Sequence, residues 1–403
     1  MELYKYKNES ENKRKVLQTI FDYNRKGKFI SRSILAEVTE LSLATIIRFV
    51  SEFIADGVVE EFAELESTGG RKPVSLRINP NYAYIISVDI GTFSAKIGVV
   101  KINGDIVQKE IIPVKDSRVP TKGLTLEELY GKIEEIIEKF GKGKLLGIGI
   151  GISGMVDCNQ GRIIFCPNIS GWDNVSIVPL LSEKFDTPVF LDTSSRCMAL
   201  AEQWFGVGQD IENQIFASFG YGSIGSGIII DSKLFRGGSD FAGELGHVQV
   251  VSNGRTCTCG NQGCIEVYVT LPMILQEIKD TLKDHMGYSP IKFLVEDIND
   301  IDKDIVVEAL EQGDKIVSEI IGEAGQFIGA ALANMANLFN PDLIVLGGGV
   351  IESFPSIISE IERTIKQKSL VTIQQNLTLK KSTLGWDSSI IGGAILVLRE
   401  FFS

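Results

Sequence analysis

The chain has 403 residues, 44% hydrophobic and 23% charged, with a formal net charge of −12. That length exceeds one ordinary core, so two or three domains are expected, and the acidity argues against the whole chain being a non-specific nucleic-acid binder. Met1 to Lys15 is polar and charged, and no run of about 18 consecutive apolar residues exists to span a membrane, so the expectation is a cytoplasmic chain.

The charge is uneven. Residues 1–80 hold 13 Lys or Arg against 12 Asp or Glu, so a near-neutral module is fused to an acidic body. Val16, Leu17, Ile20 and Phe21 recur at helical spacing over residues 11–24. Ser31 is placed to cap a second helix reaching Glu40, with Ile34, Leu35 and Val38 inward, and Ser42 a third that ends near Asp56 at Gly57. Val58–Phe62 and Val74–Ile78 alternate as two strands around Gly69-Gly70-Arg71-Lys72-Pro73. Helix, helix, tight turn, helix and a two-stranded wing is the winged helix-turn-helix plan; a three-helix protein-interaction module is the plainer alternative. On the first reading Ser42, Thr45 and Arg48 face DNA, and Gly69, Gly70, Arg71 and Lys72 form a wing tip able to bring a guanidinium to a groove or the backbone. Leu43 and Ile47 either pack inside or touch thymine methyls.

The body repeats one pattern, a strand running into a glycine turn. It occurs at Tyr84–Val100 with Asp89-x-Gly91, at Leu145–Gly154, at Ile215–Ile230 around Gly220, Gly222, Gly225 and Gly227, and at Leu343–Gly349. Each alone reads as a tight turn. Four together suggest a two-lobed α/β protein with a ligand between the lobes.

The richest stretch is Phe241 to Glu266. His247, Cys257, Cys259 and Cys264 supply an imidazole and three thiols, the set of a closed tetrahedral zinc site. Glu244 and Glu266 flank them, so the metal would sit beside groups suited to gripping the hydroxyls of a small polar ligand, a sugar foremost. A disulfide is disfavoured in a reducing cytoplasm, and Cys158, Cys166 and Cys197 read as buried reduced thiols.

With these residues in view the chain resembles the ROK family (repressors, open reading frames, kinases), specifically its repressor branch. The match rests on Gly243-Glu244-Leu245-Gly246-His247, Cys257-x-Cys259-Gly260-x-x-Gly263-Cys264-x-Glu266, Pro167-Asn168 and the leading winged module. The resemblance implies an actin-like, hexokinase-like (ribonuclease H-like) fold, a structural zinc, and sugar contacts by Asn168, Glu244, His247 and Glu266, the imidazole serving metal and sugar with one nitrogen each. Family kinases also carry an aspartate general base. Counted back from Ala199-Leu200-Ala201-Glu202, that position is Ser194, a hydroxyl with no useful basicity; losing a positioned base costs about 10²–10⁴ in rate. The phosphate loops depart as well, with Phe93 after Asp89-Ile90-Gly91-Thr92 and with Tyr221-Gly222-Ser223-Ile224-Gly225. Asp89, Gly91, Thr92, Gly222, Gly225, Gly347 and Gly348 are therefore read as vestigial nucleotide positions, and no ATP is expected.

The expected organisation is a DNA-binding domain over 1–82, a small lobe over 83–191 completed by 385–403, and a large lobe over 192–384 holding the zinc motif and a dimer surface. The expected function is a sugar-responsive repressor of carbohydrate-utilisation genes, acting on operator DNA as a homodimer or homotetramer, with a sugar-transport phosphocarrier protein as a possible further partner. The rival is an ATP-dependent sugar kinase with an appended regulatory module. Xylose, glucose and N-acetylglucosamine stay open as effector, as does whether the sugar releases or promotes DNA binding.

Overall fold

In the computed structural model the described residues are 6, 9–64, 74–113, 124–166, 169, 171–284 and 288–402. They fall into two compact units, Met1–Phe205 with Asp387–Ser403, and Gly206–Trp386.

The first unit opens with helices α1 (Glu11–Arg25), α2 (Arg32–Thr39) and α3 (Leu43–Ala55), then strands β1 (Val59–Glu64) and β2 (Val74–Ile78). Val16, Leu17, Ile20 and Phe21 are all buried. Both predicted N-caps form: Ser31 accepts from the Ile34 amide at 3.3 Å and Ser42 from the Thr45 amide at 3.2 Å. Helix α3 ends where Gly57 adopts φ +74°, with the Gly57 amide on the Ile54 carbonyl and the Val58 amide on the Phe53 carbonyl. That is a Schellman closure, and it needs a residue tolerant of positive φ. Strands β1 and β2 pair antiparallel with an irregularity between Glu61 and Ala63, and Ile30 bridges to Leu76. The inward reading of α2 holds for Leu35; Ile34 is half-buried and Val38 is exposed. The buried stripe continues instead through Thr39, one turn beyond Leu35, whose hydroxyl donates to the Leu35 carbonyl. The wing tip Gly69–Lys72 lies outside the described residues.

The same unit continues as β3 (Tyr84–Ile90), β4 (Ser94–Lys101), β5 (Ile106–Pro113), α4 (Leu126–Phe140), β6 (Leu145–Ile152), β7 (Met155–Asp157), β8 (Arg162–Phe165), α5 (Ile177–Phe185), β9 (Val189–Thr193) and α6 (Ser194–Phe205), and finishes with the C-terminal helix Ser388–Phe402. The main sheet runs β5-β4-β3-β6-β9, antiparallel across β5, β4 and β3 and parallel across β3, β6 and β9. Every residue of β3 and β6 is buried, the signature of strands covered on both faces. Leu129, Ile133 and Ile136 of α4 join Ile177, Leu181 and Phe185 of α5 in one cluster with Ile86, Val88, Ile148 and Ile150. The C-terminal helix packs on α6, β6 and β3. Its backbone lies directly on its neighbours: a Cβ at Gly392 would stand 1.9 Å from the Cys197 carbonyl oxygen, and one at Gly149 would stand 1.8 Å from that of Gly393.

The second unit repeats the plan with β10 (Gln214–Phe219), β11 (Ile224–Ile230), β12 (Lys233–Phe235), α7 (Leu271–Asp284), α8 (Lys303–Glu311), α9 (Lys315–Phe339), β13 (Leu343–Gly347), α10 (Ile357–Lys368) and β14 (Thr378–Lys381). Its order β12-β11-β10-β13-β14 again joins three antiparallel strands to two parallel ones. Helix α9 is long and apolar enough to cross a membrane by length and composition, but it sets Val317, Ile321, Ile328, Leu332 and Met335 into the unit's own core. Its N-terminus is capped by buried Asp314, which accepts from the amides of Ile316 and Val317. The duplicated topology is that of the actin-like, hexokinase-like class. The chain divides after Phe205 rather than at residue 192, because α6 packs on β6, β9 and the C-terminal helix.

Gly392→Ala is expected to force the C-terminal helix off α6. Overpacking of this kind costs about 1–3 kcal/mol and lowers the melting temperature by roughly 2–12 °C for a unit of this size. Calorimetry of the full chain checks it, and an unchanged midpoint would contradict the backbone contact.

Candidate metal centre and ligand site

Strand β12 leads the chain into the metal loop expected from the sequence. Gly243, at φ +98°, aims its carbonyl at the Ser226 amide and hydroxyl, both at 2.9 Å. A short turn over Leu245–His247 follows. The distal part closes through paired backbone bonds, Val250 amide to Gly263 carbonyl and Gly263 amide to Arg255 carbonyl, both 2.8 Å. Gly263, at φ +78°, is required there, since a Cβ would lie 1.7 Å from the Val251 carbonyl oxygen. Arg255 pairs with Glu277 and tethers the loop to α7.

This scaffold brings together all four expected ligands. The His247, Cys257, Cys259 and Cys264 ligand atoms lie within 4.8 Å of one another. His247 Nδ1 is 3.7 Å from Cys257 Sγ, and Cys259 Sγ is 3.7 Å from Cys264 Sγ. A tetrahedron of ~2.3 Å metal–sulfur bonds has an edge of about 3.8 Å, whereas a disulfide needs about 2.05 Å. The four groups therefore fit a metal ion, and the thiols are free. Cys257 and Cys264 are buried, and Cys259 is exposed. Elsewhere burial pushes the Cys166 thiol up to about 12 and Cys197 well above its usual range, which makes them inert. Cys158 is half-buried rather than buried.

The metal loop also positions the expected hydroxyl-gripping groups. Glu244 precedes the His247 turn, and Glu266 opens the short helix Glu266–Val269 just after Cys264. The Glu266 carboxylate lies over that turn, 3.1 Å from where a Cβ of Gly246 would be, and accepts a long 3.4 Å bond from the Ile224 amide. Glu244, His247 and Glu266 are all half-buried, so solvent reaches them. Because His247 turns Nδ1 to the thiols, Nε2 is the nitrogen left for other partners. Asn168, expected as a fourth contact, lies outside the described residues.

In the first unit the expected base position and the expected phosphate-loop acid meet. Ser194 donates its hydroxyl to Asp89 at 2.6 Å. Lys96 reaches the other Asp89 oxygen at 3.5 Å and the Ser389 hydroxyl at 3.2 Å. Asp89, Lys96, Ser194 and Ser389 are all buried. Asp192 does not stand in as a base: it pairs with Arg196 at 3.1 Å, with the two side chains 0% and 1% exposed. The Lys96 partnership was missed from the sequence, although Asp89 and Lys96 are directly opposite in the β3–β4 ladder, so a hairpin register centred on Gly91–Phe93 would have found it. Gly91 closes that turn through its amide on the Ser94 carbonyl, and the Thr92 hydroxyl is buried without a hydrogen-bond partner.

The second unit's glycines are explained by close packing. A Cβ at Gly347 would stand 2.6 Å from the Phe216 ring, and one at Gly348 2.5 Å from the Phe219 backbone. The Tyr221 ring lies over Gly349, 2.5 Å from where its Cβ would be, and the Tyr221 hydroxyl is 3.0 Å from that of Ser353. Trp386 tilts onto Tyr221 at 5.5 Å. Gly222 lies just before β11 and Gly225 is its second residue. At α3, the N-cap Ser42 and Arg48 are exposed and Thr45 is half-buried. Leu43 and Ile47, at 49% and 46% exposure, point outward with them.

Residues 85–400 match the ROK family, beginning just after the winged module. The chain is similar to a xylose repressor of Caldicellulosiruptor bescii, 32% identical over 97% of this chain and 96% of that one. Among solved structures it is similar to a ROK family transcriptional regulator, a homologue of the Escherichia coli Mlc protein, with 27% identity, TM-score 0.80, and coverage of 97% and 96%. It is also similar to a ROK family glucokinase from Streptomyces griseus in complex with glucose and AMPPNP, with 27% identity and TM-score 0.67, but that match covers 78% of this chain and 99% of the kinase.

Cys264→Ser is expected to remove bound metal and to loosen residues 249–263. Elemental analysis of freshly purified protein should give one ion per chain before substitution and well under half afterwards; a metal-free parent chain would contradict the fit.

Proposed function

The chain belongs to the ROK family, and from that premise we infer that it is a sugar-responsive transcriptional repressor rather than a sugar kinase. The single observation that carries this choice is the Ser194 hydroxyl bound to Asp89. A kinase needs a group there that takes a proton from the attacking sugar hydroxyl. Ser194 gives its own proton away, and the nearby Asp192 is neutralised by Arg196. The Tyr221 ring over Gly349 supports the same reading, since it stands where a phosphate loop would have to stay open.

The reading assigns zinc to the His247, Cys257, Cys259 and Cys264 cluster. Bound there, it supplies structural rather than Lewis-acid chemistry, because all four positions of a tetrahedral ion are filled by protein. This chain's own residues then do the binding. Glu244 and Glu266 each accept hydrogen bonds from sugar hydroxyls, which a carboxylate does in bidentate fashion with a vicinal pair. His247 adds a bond through Nε2, with its orientation fixed by Nδ1. Asn168 is a further proposed contact. DNA is read by α3 through Ser42, Thr45 and Arg48, with Leu43 and Ile47 against thymine methyls, and the segment Gly69–Lys72 contacts the backbone or a groove. Two copies of the module, brought together by a homodimer, match a two-fold operator. A sugar-transport phosphocarrier is retained as a second regulatory input.

Fluorescence anisotropy with a labelled promoter duplex tests the reading. One sugar among xylose, glucose and N-acetylglucosamine is expected to change DNA affinity about 5–150-fold, the range of a ~1–3 kcal/mol coupling. Glu244→Ala should abolish that change while leaving sugar-free DNA affinity alone. Affinity indifferent to every sugar would remove the inferred function. Arg48→Ala is a separate check on the DNA face. Loss of one base or phosphate contact should weaken binding roughly 5–150-fold, about 1–3 kcal/mol, and an unchanged affinity would move the interface elsewhere.

A further inference from the structure

Helix α6 and the C-terminal helix begin at one place and end at another. Both N-termini meet the Asp89 cluster, α6 through the Ser194 hydroxyl, which donates to Asp89 at 2.6 Å, and the C-terminal helix through the Ser389 hydroxyl, which accepts from Lys96 at 3.2 Å. Both C-termini close on one residue of the winged module. Phe21 of α1 stacks on Phe402 at 4.1 Å with 11° between the ring planes, and meets the Trp204 ring at 5.5 Å. Arg25, one turn on, places its guanidinium 5.5 Å from the Trp204 ring centroid and donates to the Trp204 carbonyl at 3.3 Å. Phe21 and Phe402 are each 2% exposed and Trp204 8%.

We propose that these two helices form a strut between the Asp89 cluster and the DNA-binding module, with Trp204 and Phe402 as positioning residues that set how α1 is held. The proposal rests on the repressor reading above and adds to it the route by which occupancy reaches DNA. Three physical features support it. A helix is stiff along its axis, and these span about 18 Å and 22 Å at ~1.5 Å per residue, so neither absorbs much displacement internally. The two are in backbone contact within their first third, where Gly392 lets the chain meet the Cys197 carbonyl. And the module's covalent link to the sheet is short, residues 79–83 between β2 and β3, so the aromatic clasp sets the module's pose. A displacement of Ser194 from Asp89 shifts the start of α6, and the shift emerges at Trp204 and Phe402, against Phe21. Close-packed interiors pass such shifts on instead of damping them.

Full-length Trp204→Ala is the direct test, with D-xylose, D-glucose and N-acetylglucosamine as probes. Sugar affinity by calorimetry should stay within about 2-fold of the parent chain, while the sugar-induced change in DNA affinity falls below about 2-fold from 5-fold or more. Trp204→Phe, which keeps a ring against Phe21, should retain most of the response. A full response in Trp204→Ala overturns the strut. Should that variant fail to fold, Arg25→Gln, which spares the ring cluster, is expected to lower the response about 2-fold or more, and no change would again overturn it. Hydrogen exchange tests the strut without any sugar. Ser194→Ala should speed exchange in the peptide covering residues 11–25, and faster exchange confined to residues 85–100 and 190–205 contradicts it. If the parent chain itself shows no sugar effect on DNA, the repressor reading falls, and the exchange result still decides the strut.

Discussion

The structure turns on one buried carboxylate. Asp89 accepts the Ser194 hydroxyl and faces the Lys96 ammonium from the neighbouring strand. A buried charge persists only with partners, and stripping one away costs about 3–5 kcal/mol, so this arrangement is over-determined rather than incidental. Its consequence is chemical. In the related kinases the corresponding positions are expected to hold a general base and a phosphate-loop acid. Here the two positions satisfy each other, and the ammonium tethers both the acid and the C-terminal helix. On the repressor reading proposed above, these contacts serve as a structural joint instead of a transfer site.

The second unit contributes a different constraint. The loop from Gly243 to Cys264 has few apolar residues of its own, and its shape comes from paired backbone bonds, glycines at positive φ and the four-ligand cluster. Metal binding at such a site supplies folding free energy directly. Glu244, His247 and Glu266 take their places from that same loop, so the groups proposed to grip a sugar are only as ordered as the metal makes them. On the proposed reading the metal and ligand sites form one device, with His247 in both.

Much of this was legible in the sequence, and for physical reasons. Ser31, Ser42 and Gly57 mark helix ends because caps and positive-φ closures depend on local chemistry alone. The spacing of Cys257, Cys259 and Cys264 told of a four-ligand cluster with His247 because few other uses suit three thiols and an imidazole. The four strand-to-glycine turns gave the duplicated α/β plan. The misreadings are all tertiary. Val38 was read inward from periodicity, yet Thr39 takes the buried place. The Asp89–Lys96 pair needed the register of a hairpin rather than a motif. The cover that Tyr221 lays over Gly349 depends on a ring meeting a loop more than 100 residues away. Helix α6 was assigned to the second lobe because chain order alone does not say that its packing lies with β6 and the C-terminal helix.

The most direct test of the central claim is a single-turnover experiment. Stoichiometric protein is mixed with γ-labelled ATP, magnesium and the sugar that moves DNA affinity, and label transfer to sugar is followed against a ROK glucokinase control. If Ser194 and Asp89 are locked as a joint, no labelled sugar phosphate should form above the protein-free background while calorimetry still records sugar binding. One equivalent of sugar phosphate formed per chain, at a rate near that of the control, would contradict the account.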